Sequence, residues 1–143
     1  MSWFHRPSNE ITKESLLNLN QKLLESIVGG DWSTYESLLD KDAACFEAET
    51  NGNVITGHAF HKFYFDLDAK PETDEPKKVA TKVYMSQPHV RILSGGKAAV
   101  LKYVRINQSV DADGAPITTT VCETRVWEEG NDGVWKNVDV HRS

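Results

Sequence analysis

Leucine and isoleucine recur at helical spacing near the start of the chain. Leu16, Leu19, Leu23 and Ile27 fall on one stripe, with Leu17, Leu24 and Val28 beside it, as an amphipathic helix requires. Thr12 precedes the stripe as a cap and Gly29-Gly30 follows it, so the pattern predicts a helix over 12–28. Asp31 then caps a second, shorter helix on which Trp32, Tyr35, Leu38 and Leu39 recur until Asp40-Lys41-Asp42 ends it. The pattern turns extended at 43–47 and 54–56, around the turn Asn51-Gly52-Asn53. After Gly57 it returns to a third helix, with Phe60, Phe63, Tyr64 and Leu67 on one face.

From residue 79 the character changes to β-rich. Segments 79–93, 98–110, 117–128 and 134–142 are separated by Ser94-Gly95-Gly96, Asp113-Gly114 and Gly130-Asn131-Asp132-Gly133, and strands joined by such short turns predict an antiparallel meander. Residues 70–78 (KPETDEPKK) hold two prolines and six charged side chains, the composition of a solvated loop. Helices first and a twisted sheet afterwards make an α+β order, in which helices cover one sheet face and leave the other to solvent or a partner.

Composition narrows this picture. At 143 residues the chain has room for one domain with a real core, and its 39% hydrophobic content with four Trp excludes disorder. A net charge of -5, with no Lys/Arg run longer than Lys77-Lys78, argues against nucleic acid and anionic membrane as partners. No segment approaches the run of about 20 apolar residues that a transmembrane helix needs, and the first ten residues lack a signal peptide's apolar stretch. Cys45 and Cys122 sit among apolar or β-branched neighbours and read as buried thiols of a reducing compartment. The expected location is the cytoplasm.

Strand alternation nominates the chemistry, because residues two apart share a sheet face. Arg105 shares the parity of Leu101 and Tyr103; Arg125 that of Val121, Glu123 and Trp127; Arg142 that of Val134, Val138 and Val140, with Lys136 interrupting. An inward guanidinium keeps its proton and needs a carboxylate, carbonyls or a bound anion. Glu123, Glu47 or Glu49 are the available internal partners. If all three arginines converge on one cavity they leave a positive excess, and the planar fork suits a carboxylate.

His58 and His61 stand three apart on the third helix, with no third ligand at metal spacing, so no metal and no cofactor is expected. No GxSxG, HExxH, P-loop or GxGxxG pattern is present, and Asp66 and Asp68 read as solvated helix-end charges. The adjacent aromatics Phe63-Tyr64-Phe65 cover too much of a helix's circumference for one buried side, so part of them should meet a ligand cavity or another subunit. Outward members of Tyr103, Trp127 and Trp135 would likewise form an apolar patch that invites a partner.

The segments GHAFHKFYF (57–65), QPHV (87–90), YVR (103–105), ETRVW (123–127) and GVWKNVDVHRS (133–143), in unbroken order from Ile11, resemble the association (hub) domain of calcium/calmodulin-dependent protein kinase II. That family has the cone-shaped nuclear transport factor 2-like, or cystatin-like, fold. The resemblance implies a curved antiparallel sheet wrapped around the long first helix, preceded here by an extension over 1–10 and occupying 11–143. It implies homo-oligomers, dimers stacked as two rings that are dodecamers or tetradecamers in animal kinases. It also implies a pocket lined by residues matching Arg105, Arg125, Arg142, His61 and Tyr35, which takes small carboxylates, acidic peptides or kinase regulatory and linker segments. After the third helix the chain reads Asp68-Ala69-Lys70, where some animal hubs carry a pocket-capping tryptophan.

The expected function is therefore a non-catalytic oligomerisation scaffold with an arginine-lined carboxylate pocket. The alternative is an isomerase or dehydratase of the same fold, which needs an inward carboxylate of raised pKa. Glu123, Glu47, Glu49 and Asp66 are the candidates, and surrounding arginines are expected to depress them all.

Overall fold

Thr12 starts helix α1 (Lys13–Val28) by a reciprocal cap in which its hydroxyl accepts from the Ser15 N–H while Ser15 Oγ accepts from the Thr12 N–H, satisfying donors that the helix itself cannot. This helix and all that follows belong to a computed structural model that describes residues 10–68 and 81–143. The sequence expectations for an extension over 1–10, except at Glu10, for the loop over 70–78 and for a strand start at 79 lie outside the described residues.

α1 buries Leu16, Leu23 and Leu24 completely, each stabilising the fold by about 2 kcal/mol. Asn20, in the middle of that stripe, is buried as fully and accepts a hydrogen bond from Trp127 Nε1 across the core at 3.0 Å. Asp31 caps α2 (Trp32–Leu38). The chain then enters strand β1 (Leu39–Phe46) directly, where the sequence suggested a stop at Asp40-Lys41-Asp42. Lys41 and Asp42 are exposed and interrupt no apolar surface. A 3-10 turn (Ala48–Thr50) and the short β2 (Ile55–Thr56) precede α3 (Ala59–Asp68).

Strands β3 (Lys82–Ile92), β4 (Ala98–Val110), β5 (Pro116–Glu129) and β6 (Trp135–Arg142) form the predicted antiparallel meander. Among the described residues the sheet runs β2-β1-β6-β5-β4-β3, and β1 joins β6 in parallel, so the sheet is mixed rather than purely antiparallel. Helix α1 packs against β3, and α2 against β1 and β6, so among the described residues no helix covers the opposite sheet face.

Two bulges re-aim side chains. In β3, Gln87 at φ 50 shifts the register between Ser86 and His89, so inward residues change from Val83 and Met85 to Val90 and Ile92. In β6 a register shift opposite Val126 and Trp127 turns Asn137, not Val138, into the core. The inward series Val134, Val138, Val140 suggested by alternation is therefore wrong before the bulge, where Val134 is exposed, and right from Val140 onward.

α3 also departs from expectation. Phe63, Tyr64 and Leu67 of its predicted apolar face are exposed, while His61 is buried. Phe65 holds the helix down, its ring 4.9 Å from Tyr35 and 5.1 Å from Trp32. Cys45 is buried as read, but Cys122 is exposed, because Glu123 beside it points inward and neighbours on a strand face opposite ways. Trp127 is fully buried and Tyr103 nearly so, so neither joins an outer apolar patch.

Candidate functional site

Tyr35 from α2, His61 from α3 and the three arginines Arg105, Arg125 and Arg142 from β4, β5 and β6 all line one cavity of about 200 Å³. Ile27, Glu47, Glu49, Tyr64, Phe65 and Asp68 complete its wall. Tyr64 and Phe65 thus bring part of the aromatic run to the cavity. Parity nominated the arginines singly; the strand register brings them together, since Glu123 lies opposite both Tyr103 and Arg142, with Arg105 two residues beyond Tyr103 and Arg125 two beyond Glu123.

Glu123 is the electrostatic centre. It is 2% exposed, and its Oε1 accepts from Tyr103 OH at 2.6 Å and from Arg125 Nε at 3.0 Å, while Oε2 accepts from Arg105 Nη1 at 3.0 Å. Burial alone would raise its pKa, but Arg125 and then Arg105 overcome this and hold the carboxyl at about 2. Arg125 is 1% exposed and donates its Nη1 to Asn137 Oδ1 at 2.9 Å. Asn137 in turn donates to the carbonyls of Val126 and Asp139, plugging the β6 bulge. Arg105 completes its fork on Asn107 Oδ1 at 3.2 Å.

Arg142 differs. Its Nη2 donates to Glu49 Oε2 at 2.5 Å and to Glu47 Oε2 at 3.3 Å, and its side chain is 23% exposed. Internal pairing therefore reaches every one of the three arginines. Among the described residues, Glu47, Glu49 and Asp68 on the cavity wall and Glu123 beneath it stand against three guanidinium groups, so these residues leave no positive excess.

Nor do the arginines depress every carboxylate. Glu49 and Glu123 are lowered, but at Glu47 burial outweighs Arg142 and Arg125 and the carboxyl is raised. Burial, reinforced by Arg125, takes His61 down to about 4, which leaves a neutral ring at neutral pH. Its Nδ1 lies 3.1 Å from Tyr35 OH and its Nε2 3.6 Å from Cys45 Sγ. His58 precedes the helix and bonds the Leu39 carbonyl at 2.8 Å, so the two histidines do not act as a surface pair. Asp66 is paired with Lys62 in solvent, as a helix-end charge should be.

Sequence reasoning missed Asn137 and the Cys45–His61 contact. Asn137 sits in a run whose alternation is broken by the bulge, and nothing local signals it. Cys45 and His61 meet only because α3 folds back over β1.

Residues 12–143 match the calcium/calmodulin dependent protein kinase II association domain family. The chain is 36% identical over 131 residues to the delta subunit of calcium/calmodulin-dependent protein kinase type II from Oryctolagus cuniculus, covering 92% of this chain and 23% of that protein. It therefore spans about a quarter of that curated relative's length. Among solved structures, the calcium/calmodulin-dependent kinase II hub homology domain of Chlamydomonas reinhardtii superimposes with a TM-score of 0.81 at 38% identity, over 91% of this chain and 95% of that one. The association domain of the C. elegans kinase follows with a TM-score of 0.79 at 37% identity, over 92% and 94% of the two chains. A nuclear transport factor 2-like protein from Salmonella enterica, at 20% identity and a TM-score of 0.67 over 91% and 88% of the chains, shares the fold alone. Among the described residues no helix is long and apolar enough to cross a membrane.

Proposed function

The chain belongs to the calcium/calmodulin-dependent protein kinase II association-domain family, and from that premise we propose that it is a non-catalytic oligomerisation hub of the cytoplasm, assembling into stacked rings of dimers. The observation that carries this reading is the uncovered sheet face. There Val104 and Ile106 of β4 pair with Cys122 and Thr120 of β5, Tyr84 of β3 pairs with Ile106, and Tyr84 and Val110 are 45% and 36% exposed. A broad face of this kind is costly to leave in water and is covered by a second copy in symmetric assemblies. Native mass spectrometry at micromolar protein is expected to give a closed, even-numbered oligomer, a dodecamer or tetradecamer in this reading. A monomer under those conditions sinks the proposal.

The cavity is the hub's second feature in this proposal, a receptor for a small carboxylate or for an acidic kinase regulatory or linker segment. Arg142 is its working cation, because Arg105 and Arg125 are locked on Glu123. Glu49 occupies Arg142 as an internal stand-in for the ligand's carboxylate, so a ligand enters by exchange. Arg142→Met is expected to weaken binding of succinate at least about tenfold, and Glu49→Gln to strengthen it, both read by titration calorimetry. Equal affinities in all three proteins count against the carboxylate role. Arg125 is a poor handle for this test, since its loss strands Glu123 and Asn137 in the core. The raised carboxyl of Glu47 is the observation that favours the isomerase or dehydratase alternative, although Arg142 already holds its Oε2.

A further inference from the structure

We propose that Cys45, His61 and Glu47 form a zinc site in the wall of the cavity. One ligand atom from each lies within 4.8 Å of the others. The Cys45 Sγ to His61 Nε2 separation of 3.6 Å equals the about 3.6 Å between sulfur and nitrogen bound to one tetrahedral zinc at ordinary bond lengths. Thiolate, imidazole and carboxylate together select zinc over calcium or magnesium, which prefer oxygen alone.

The surroundings favour the ion as well. Cys45 and Glu47 are two apart on the chain and meet His61 from across the cavity's edge, so two separate elements supply the donors. Tyr35 OH engages His61 Nδ1 at 3.1 Å, fixing the ring with Nε2 toward the site, as outer partners of metal-bound histidines do. Arg142 engages Glu47 through Oε2 only, and a carboxylate has a second oxygen to offer. The excess of carboxylates over guanidinium groups around the cavity makes room for positive charge. Zinc binding with release of the Cys45 thiol proton takes the three donors from the single negative charge of Glu47 to neutral, and the one added positive charge is matched by the carboxylate excess. Glu47 and His61 both line the cavity, and the fourth tetrahedral position is left to water or a ligand oxygen.

The test uses the whole chain, freed of metal by chelator and with no carboxylate ligand added, so its result is independent of the carboxylate reading. Equilibrium dialysis against zinc is expected to give one ion per chain. Cobalt as a substitute probe is expected to give sulfur-to-cobalt charge-transfer absorption, which needs no variant to interpret. Cys45→Ser and His61→Gln, checked for folding by circular dichroism, are expected to lower zinc affinity at least about tenfold. Cobalt binding without the charge-transfer band, or undiminished zinc affinity in a folded Cys45→Ser protein, overturns the proposal.

Discussion

Glu123→Gln is expected to destabilise the protein by about 3–5 kcal/mol, measured by urea unfolding at fixed protein concentration. The substitution keeps shape and removes charge, leaving Arg105 and Arg125 side by side, 5% and 1% exposed, with no anion between them. The amide can accept from one guanidinium but its own N–H groups then point at the other. Removing one cation should recover part of the loss, so the double variant Glu123→Gln, Arg105→Met is expected to be more stable than Glu123→Gln alone. A loss below about 1 kcal/mol, the range of an exposed pair, would falsify the claim that this carboxylate holds the cavity wall together. Acid supplies the same test without mutation. The folded-state pKa of about 2 lies below the ordinary 4.5, so the stabilisation is complete above pH 4.5 and is lost as pH falls toward 2. The Gln variant is expected to lack that part of the acid-unfolding curve.

The second large effect is expected at Trp127. Trp127→Ala should cost about 3–5 kcal/mol by the same measurement, the range for emptying an aromatic site in a core. Trp127 is fully buried, packs within the main core cluster and donates to Asn20 Oδ1 at 3.0 Å, a bond that spans the chain from the first helix to the fifth strand. Trp127→Phe separates the two contributions. It retains most of the volume but leaves the Asn20 carbonyl oxygen without that donor, so a loss of about 1–3 kcal/mol is expected. Asn20→Leu in the Trp127→Phe background should then restore stability, since both polar partners are gone. A Trp127→Phe protein as stable as the parent shows that the bond contributes nothing.

Helix α1 with its Thr12 cap, the helical hairpin, the four long strands and the inward direction of Arg105, Glu123 and Arg125 were all legible in the sequence. Each depends on contacts within a few residues or on simple alternation, and local periodicity encodes both. The errors fell where the chain departs from its local period for a non-local reason. The β6 bulge moves Asn137 inward because Arg125 on the neighbouring strand needs its Oδ1. The aromatic face of α3 stays outside because Phe65 and His61, not Phe63 and Leu67, meet Tyr35. Cys122 lies outside because Glu123 is needed inside.

The sequence by itself determined the α+β order, the core stripe and which cations point inward, since those follow from side-chain period and from the cost of burying charge. Tertiary structure alone decided that the three arginines line one cavity, that four carboxylates surround them, and that Cys45 and His61 come within 3.6 Å. Such distances depend on sheet curvature and on how a helix folds back over a strand, and contacts made across 16 to 95 residues of chain leave no trace in local spacing.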